Sequence, residues 1–353
     1  MNNPPAMSPV HDAIEGVLPP SGNASFFGHE SIRGFLTAAV GEGRLHHALL
    51  FEGPQGVGKA TLAFHLAGHL LARSHAGQAS DLLKPDFNAP VYRQIAGGTH
   101  PALLYISRPR DPKTEKFKTA ITVDEIRRVT QFLARTAHDG AWRVVIVDPA
   151  DDLNRNAANA LLKTLEEPPS KVLFILISHS PGRLLPTIKS RCQALCFEQL
   201  DETEMRLALA GSGVAAVDEA AMNALIARSE GSVRQAALMV AHGGLEIADT
   251  TDAILDGQAF DVPKAQALAS ALSGRESEAQ YELFLDHLLN RLATAAEAFA
   301  MRNEVDLALR WSQLWEKMRS EAYEASAYNL DRRQTVMIFL NRAHLSFREG
   351  MPV

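Results

Sequence analysis

Ala48-Leu-Leu-Phe-Glu-Gly53-Pro-Gln-Gly-Val-Gly58-Lys59-Ala60-Thr61 is the stretch on which the reading of this chain turns. Its first four residues form an unalternating apolar run, the pattern of a strand covered on both faces. A glycine-rich turn follows, and an apolar-periodic segment from Lys59 to about Ala72 predicts a helix. Glycines let a backbone wrap phosphates, and a helix N-terminus supplies N–H donors. Gly53, Gly56, Gly58 and Lys59 are therefore candidate phosphate ligands, with Lys59 reaching the terminal phosphates. A complete motif needs a Ser or Thr hydroxyl directly after the Lys to hold Mg²⁺. That place is Ala60, and Thr61 lies about 100° further around the helix, so it cannot simply substitute.

Working outward, short apolar runs recur at Leu103 to Ile106, Val144 to Val147, Val172 to Ile177 and, more weakly, Ala194 to Phe197. Helical segments such as Val123 to Arg135 and Asn154 to Glu167 separate them. Brief unalternating strands between helices predict an α/β domain with a parallel sheet. The run Trp142-Arg-Val-Val-Ile-Val-Asp148-Pro149 ends in a carboxylate, where a nucleotide hydrolase holds Mg²⁺. The next position should carry a water-activating Glu. Pro149 has neither base nor donor. Asp151 and Asp152 read as an acidic helix start before Asn154. The loss of the metal hydroxyl and the loss of the water-activating carboxylate are independent, and together they predict a nucleotide fold without hydrolysis.

The chain has 353 residues, 46% hydrophobic and 22% charged, which fits a globular protein rather than a collagen-like or disordered one. Apolar runs such as Val172 to Ile177 fall far short of the roughly 20 residues of a membrane helix. No basic stretch followed by an apolar segment opens the chain, so the expectation is a soluble cytoplasmic protein. Thirty-five Lys and Arg against 41 Asp and Glu give a net charge of −6, which argues against gripping nucleic acid by bulk positive charge. The two cysteines, Cys192 and Cys196, exclude a disulfide scaffold and a four-cysteine zinc site.

Residues 1–24, rich in Pro, Asn, Ser and Gly, read as a flexible arm. Residues 25–198 form the α/β core. Past Leu200 strand signals stop. Helices are expected within 199–245 and again from 250 to 353, where Tyr281, Phe284, Leu285, Leu288, Leu289 and Leu292 make one apolar stripe.

Several motifs together resemble the AAA+ clamp-loader family. Phe27-Gly-His-Glu30 looks like its opening, Arg44-Leu-His-His-Ala48 precedes the first strand, and His100-Pro101 leads into the second. The run Asn154-Arg-Asn-Ala-Ala-Asn-Ala-Leu-Leu-Lys-Thr-Leu-Glu-Glu-Pro-Pro169 is highly specific. Leu185-Pro-Thr-Ile-Lys-Ser-Arg191-Cys192 looks like the family's Ser-Arg-Cys motif, whose Arg is a finger reaching into a neighbouring subunit's nucleotide site. Gly231-Ser-Val-Arg234 resembles the sensor 2 element, whose Arg contacts nucleotide. Ser178 falls at the sensor 1 position.

The resemblance implies an AAA+ P-loop core with a parallel sheet, a small helical lid at 199–245 and an all-helical collar at 250–353 for oligomerisation. It implies a stator that is catalytically silent, gives Arg191 to an adjacent motor, and joins tau/gamma and delta subunits in a hetero-pentamer that loads a sliding clamp onto primed DNA. Lys59, Thr61, Asp148, Ser178 and Arg234 are then vestigial nucleotide contacts. No cofactor is required, residual ATP or ADP binding stays open, and the family's zinc module is absent because residues 73–100, read as a remodelled loop, hold no cysteine.

An active AAA+ motor is the alternative, disfavoured by Ala60 and Pro149. A plain DNA-binding module is a third, with the basic cluster Arg108, Arg110, Lys113, Lys116 and Lys118 as its one support. That cluster reads better as a solvated loop, and His65 with His69 as surface or half-buried histidines rather than a metal pair, because residue 66 is Leu.

Overall fold

The computed structural model describes residues 11–76, 85–111, 113–134, 141–214, 218–274 and 276–352. Two compact units divide the chain, Met1–Ala237 and Leu238–Val353.

In the first unit, β1 (Ala48–Glu52) pairs in parallel with β4 (Val172–Ser178) on one side and β5 (Gln193–Cys196) on the other. Beyond β4 lie β3 (Arg143–Val147) and then β2 (Leu103–Ile106), giving the order β2-β3-β4-β1-β5. The register sets Leu50 beside Leu176 and Val145 beside Phe174. All seven residues of β4 are buried, as its unalternating sequence predicts for a central parallel strand.

Alternate residues of each strand feed opposite faces. Leu49, Phe51, Val144, Ile146, Leu173 and Ile175 pack with Leu62, Leu66 and Leu70 of α2 (Lys59–Ala76). Leu50, Val145, Val147, Phe174 and Leu176 pack with Ile126 and Val129 of α4 (Val123–Ala134) and with Leu161 and Leu165 of α5 (Arg155–Glu166). β1, β3 and β4 therefore each carry two hydrophobic interfaces, and burial of both faces holds the centre of the sheet, while β5 is partly exposed. Helix α1 (Glu30–Gly41) precedes β1, and a four-residue helix, α6 (Pro186–Lys189), leads into β5.

Helices α7 (Glu202–Gly211) and α8 (Glu219–Arg228) follow the sheet. A capping box between Asp201 and Glu204 starts α7, and Asp218 caps α8. Around them Leu200, Met205, Leu209 and Ala236 form a small core.

The second unit is helical: α10 (Gly244–Leu255), α11 (Val262–Leu272), α12 (Glu278–Met301), α13 (Val305–Ala327) and α14 (Arg332–Glu349). Tyr281, Phe284, Leu288 and Leu292, half of one predicted stripe and more, meet Leu268, Trp311, Met318, Val336 and Leu340 in its core. Among the described residues no helix is long and apolar enough to cross a membrane.

Two expectations are corrected. The segment 73–100 is not simply a loop, because α3 (Pro90–Ala96) begins at a proline and buries Tyr92 and Ile95. Residues 77–84 lie outside the described residues. The arm expected at 1–24 is packed from residue 11 onward. Leu18 donates its backbone N–H to Ser212 O, Ser21 is buried, and His65 binds Asn23 O. Its first ten residues lie outside the described residues. The division between the two units, at Ala237/Leu238, falls within α9 (Val233–His242).

Candidate functional site

The loop between β1 and α2 has the backbone its glycines predict. Gly53 and Gly56 both take positive φ, 142° and 84°. Neither has room for a Cβ: at Gly53 it would sit 2.1 Å from Phe197 O, and at Gly56 2.2 Å from Ser232 Oγ. Both clashes come from the protein's own packing. Val233 N donates to Gly56 O at 3.1 Å and Ser232 Oγ donates to Gln55 O at 2.8 Å, so the turn between α8 and α9 is stitched to the loop.

Lys59 is 3% exposed and its ammonium donates to Gly53 O at 2.6 Å and to Pro54 O. Burial pulls its pKa down to about 8, against the opposing pull of Asp148 and Asp151. The ammonium that would meet phosphates is thus turned onto its own loop carbonyls. Asp148, at the end of β3, lies beside it. Its Oδ2 accepts from the Tyr105 hydroxyl at 3.1 Å. Burial, then the nearby Asp12 carboxylate, pushes its pKa up to about 7, which the Tyr105 bond and the Lys59 charge only partly offset.

A cavity of about 670 Å³ opens over this loop. Lys59, Thr61, Asp148, His179 and Arg234 line its polar end, and Ile14, Val17, Leu18, Leu200 and Val233 its apolar end. The structure therefore brings together Gly56, Gly58, Lys59, Thr61, Asp148 and Arg234 of the residues singled out from the sequence. Arg234 does not face an open phosphate position. Its guanidinium donates to the main-chain O of Asp12, with the Asp12 carboxylate 3.9 Å away. Burial drives His179 down to about 4, the Lys59 charge adding to the effect, so it is neutral at physiological pH.

Ser178 sits at the tip of β4 and is committed elsewhere. Its hydroxyl donates to Asp151 Oδ1 at 2.7 Å, and Asp151 Oδ2 also accepts from the backbone N–H groups of His179 at 2.5 Å and Ser180 at 3.2 Å. The reading of Asp151 and Asp152 as a helix start is corrected here. Asn154 alone caps α5, by accepting from Ala157 N, while Asp152 takes a two-point bond from Arg108 at 2.5 and 2.8 Å. These carboxylates close strand ends and a loop, because the short 3₁₀ turn at Ala150–Asp152 aims them back toward the sheet. Arg108 is accordingly paired, not a free phosphate contact.

Arg191 lies outside the cavity. It follows α6 on a tight turn, with Arg191 N bonded to Ile188 O and Cys192 N to Lys189 O. Cys192 packs on the core and burial pushes its thiol up to about 12, so it is inert; Cys196 is exposed, its thiol donating to Glu52 Oε1 at 3.1 Å. The Arg191 guanidinium is partly exposed on the surface, bonded to Glu166 and to Thr187 O. His65 is buried rather than superficial, its ring held by Asn23 O. Among the described residues no His, Cys, Asp or Glu group is arranged to hold a metal ion. Ala60 offers a methyl where a nucleotide's Mg²⁺ needs a hydroxyl, so the loop fits phosphates better than it fits their metal.

Asp12, Tyr105, His179 and Glu166 were not legible as site residues. Asp12 meets Arg234 across 222 positions of sequence, and no local pattern announces that. Tyr105 had one signal, a hydroxyl-bearing residue inside a strand flanking β3.

Residues 28–201 match the family model described as DNA polymerase III, delta subunit. That segment, just under half of the chain, is similar to this DNA polymerase III family. The matched segment spans the five-stranded parallel sheet described above. The chain is 42% identical over 148 residues to DNA polymerase III subunit delta' of Pseudomonas aeruginosa, covering 41% of each. It is 39% identical over 158 residues to the subunit delta' of Escherichia coli, covering 45% of this chain and 44% of that one. Against DNA polymerase III subunit tau of Escherichia coli it is 32% identical over 238 residues, covering 67% of this chain and 34% of that one. The matches to the delta' relatives thus span less than half of their length. Among solved structures, a gamma subunit-related protein of Thermotoga maritima aligns over 90% of this chain and 99% of its own at 18% identity and a TM-score of 0.42, too low to bear on function.

Proposed function

We propose that this chain is the delta-prime-type stator of a DNA polymerase III clamp loader, and that it hydrolyses no ATP itself. The observation that carries the reading is the state of the phosphate loop. Ala60 replaces the metal-binding hydroxyl, Pro149 replaces the water-activating carboxylate, and Lys59 is satisfied by Gly53 O and Pro54 O. A site without metal and base has lost both the charge stabilisation and the nucleophile of phosphoryl transfer. Nucleotide is not required in this reading, although Lys59, Thr61, Ser178 and Arg234 keep the positions of former contacts.

Arg191 is the group the chain would contribute to catalysis. A guanidinium delivered from outside stabilises the charge on a transferring phosphoryl group. Arg191 suits this because it stands on the surface, away from its own loop, on a turn anchored by the buried Ile188. The partners are then tau/gamma and delta subunits in a hetero-pentamer with the helical second unit as the joining collar, and through the complex the sliding clamp and primed DNA.

The test is reconstitution with tau/gamma and delta subunits. The chain alone should show no DNA-stimulated phosphate release, and robust release would overturn the stator reading. In the complex, Arg191→Ala should assemble by native mass yet load clamps poorly. Unchanged loading would remove the finger role.

A further inference from the structure

Arg191 is exposed, yet it is not free. Nη2 forms an ion pair with Glu166 Oε1 at 2.7 Å, and Nη1 donates to Thr187 O at 2.9 Å and to Ser190 Oγ at 3.4 Å. The Ser190 hydroxyl itself donates to Thr187 O at 3.1 Å, closing a small ring of contacts around one end of the fork. A guanidinium carries five N–H donors. These partners lie on Nη1 and Nη2, and among the described residues none lies on Nε, so the Nε edge of the guanidinium is the one turned to no partner. Two neighbouring N–H groups are what a bidentate contact to a phosphate requires.

Glu166 comes from the last turn of α5. Helix C-termini disfavour carboxylates, so its local position gives it no reason to be acidic. The cation that answers it is Arg191, 25 residues on. An unrestrained arginine samples many rotamers, and a group meant to meet a transition state gains from being held beforehand.

We propose that Glu166 is the positioning residue for Arg191: its carboxylate, opposite the Thr187 carbonyl, fixes the guanidinium so that Nε and Nη2 present two hydrogens to a nucleotide phosphate on an adjacent subunit. This rests on the finger reading of Arg191. Glu166 touches no phosphate itself; it acts through the orientation of its partner.

The experiment uses the reconstituted complex carrying this chain as wild type, E166A, E166Q, R191A or E166A/R191A, with assembly checked by native mass. ATP affinity and the single-turnover rate of the adjoining motor site are read separately. R191A should slow that rate by about tenfold or more. E166A should slow it by about three- to tenfold with ATP affinity unchanged, because orientation is lost and binding is not. E166Q should recover most of the loss, since the amide oxygen still accepts from Nη2. The double variant should be no slower than R191A alone, as expected of a residue acting only through its partner. If R191A slows the site and E166A does not, Glu166 has no positioning role while the finger stands. If the double variant is slower than R191A by the full E166A factor, Glu166 acts by some structural route and the proposal fails. If R191A changes nothing, the finger reading fails and the proposal with it.

Discussion

Asp148 shows most clearly what burial beside the phosphate loop does to a carboxyl. Its carboxyl is buried beside Asp12, Tyr105 and Lys59, and its pKa stands near 7. In the unfolded chain it would titrate near 4. A carboxyl raised on folding favours the folded state while both states hold the proton. That advantage is lost as pH rises from about 4 through about 7. Asp148→Asn removes the titration. Its stability relative to wild type should therefore climb with pH across that window and level off above it, as followed by urea midpoints at successive pH values. A flat difference would mean that Asp148 ionises freely. Lys59 titrates with the opposite sense, its buried ammonium costing stability below about 8. At the next position along, Ala60→Ser should restore a metal-binding hydroxyl and make nucleotide binding Mg²⁺-dependent, while phosphate release stays at background because Pro149 supplies no base. Release above background would point to another carboxylate, Asp151 first, as the activator of water.

Among the elements, the central parallel strands were legible because each is a short apolar run whose two faces are both covered. The run Val172 to Ile177 became β4 (Val172–Ser178) with one added residue. Helix α5 began where the sequence placed it, with Asn154 accepting from Ala157 N at 2.9 Å. Asn154→Ala should cost about 1 kcal/mol, readable as a shift in urea midpoint without change of slope. Ser178→Ala should cost a similar amount, about 1 kcal/mol, by withdrawing one of three donors from Asp151. What local pattern could not give was the use of side chains at a distance. The composition of residues 11–25 argued for an arm, yet the segment finds its partners on α2 and α7, elements tens to hundreds of positions away. The acidic pair Asp151 and Asp152 looked like a helix start because their neighbour in sequence is a helix; their neighbours in space are the tip of β4 and Arg108. Helix α3 was missed because its seven residues are too few to show a period.

At the scale of the molecule, each unit owns a core. In the first, Phe174 is fully buried between strands; in the second, Phe284 is fully buried among α10 to α14. Truncating either aromatic to Ala should cost about 3–5 kcal/mol. Phe284→Ala should loosen hydrogen exchange in α10 to α14 and leave the protection of β1, β3 and β4 nearly unchanged. If protection fell equally in the sheet, the two units would be one cooperative block. The same variant is expected to weaken incorporation into a reconstituted complex before it disturbs the phosphate loop. Division into an α/β part and a helical part was visible from where strand signals stop.

The close approach of Gly53 to Phe197 O and of Gly56 to Ser232 Oγ bears on which substitutions a lineage could tolerate. Glycines of such a loop are ordinarily explained by the phosphates they admit. Here the crowding comes from β5 and from the turn before α9, so a methyl group at either position would collide with the chain whether or not a nucleotide ever arrived. Position 60, between Lys59 and Thr61, carries an alanine packed against the core of the sheet. The loop's outline can therefore outlast its ligand, and a glycine-rich signature in this setting records how the protein packs against itself as much as what it once bound.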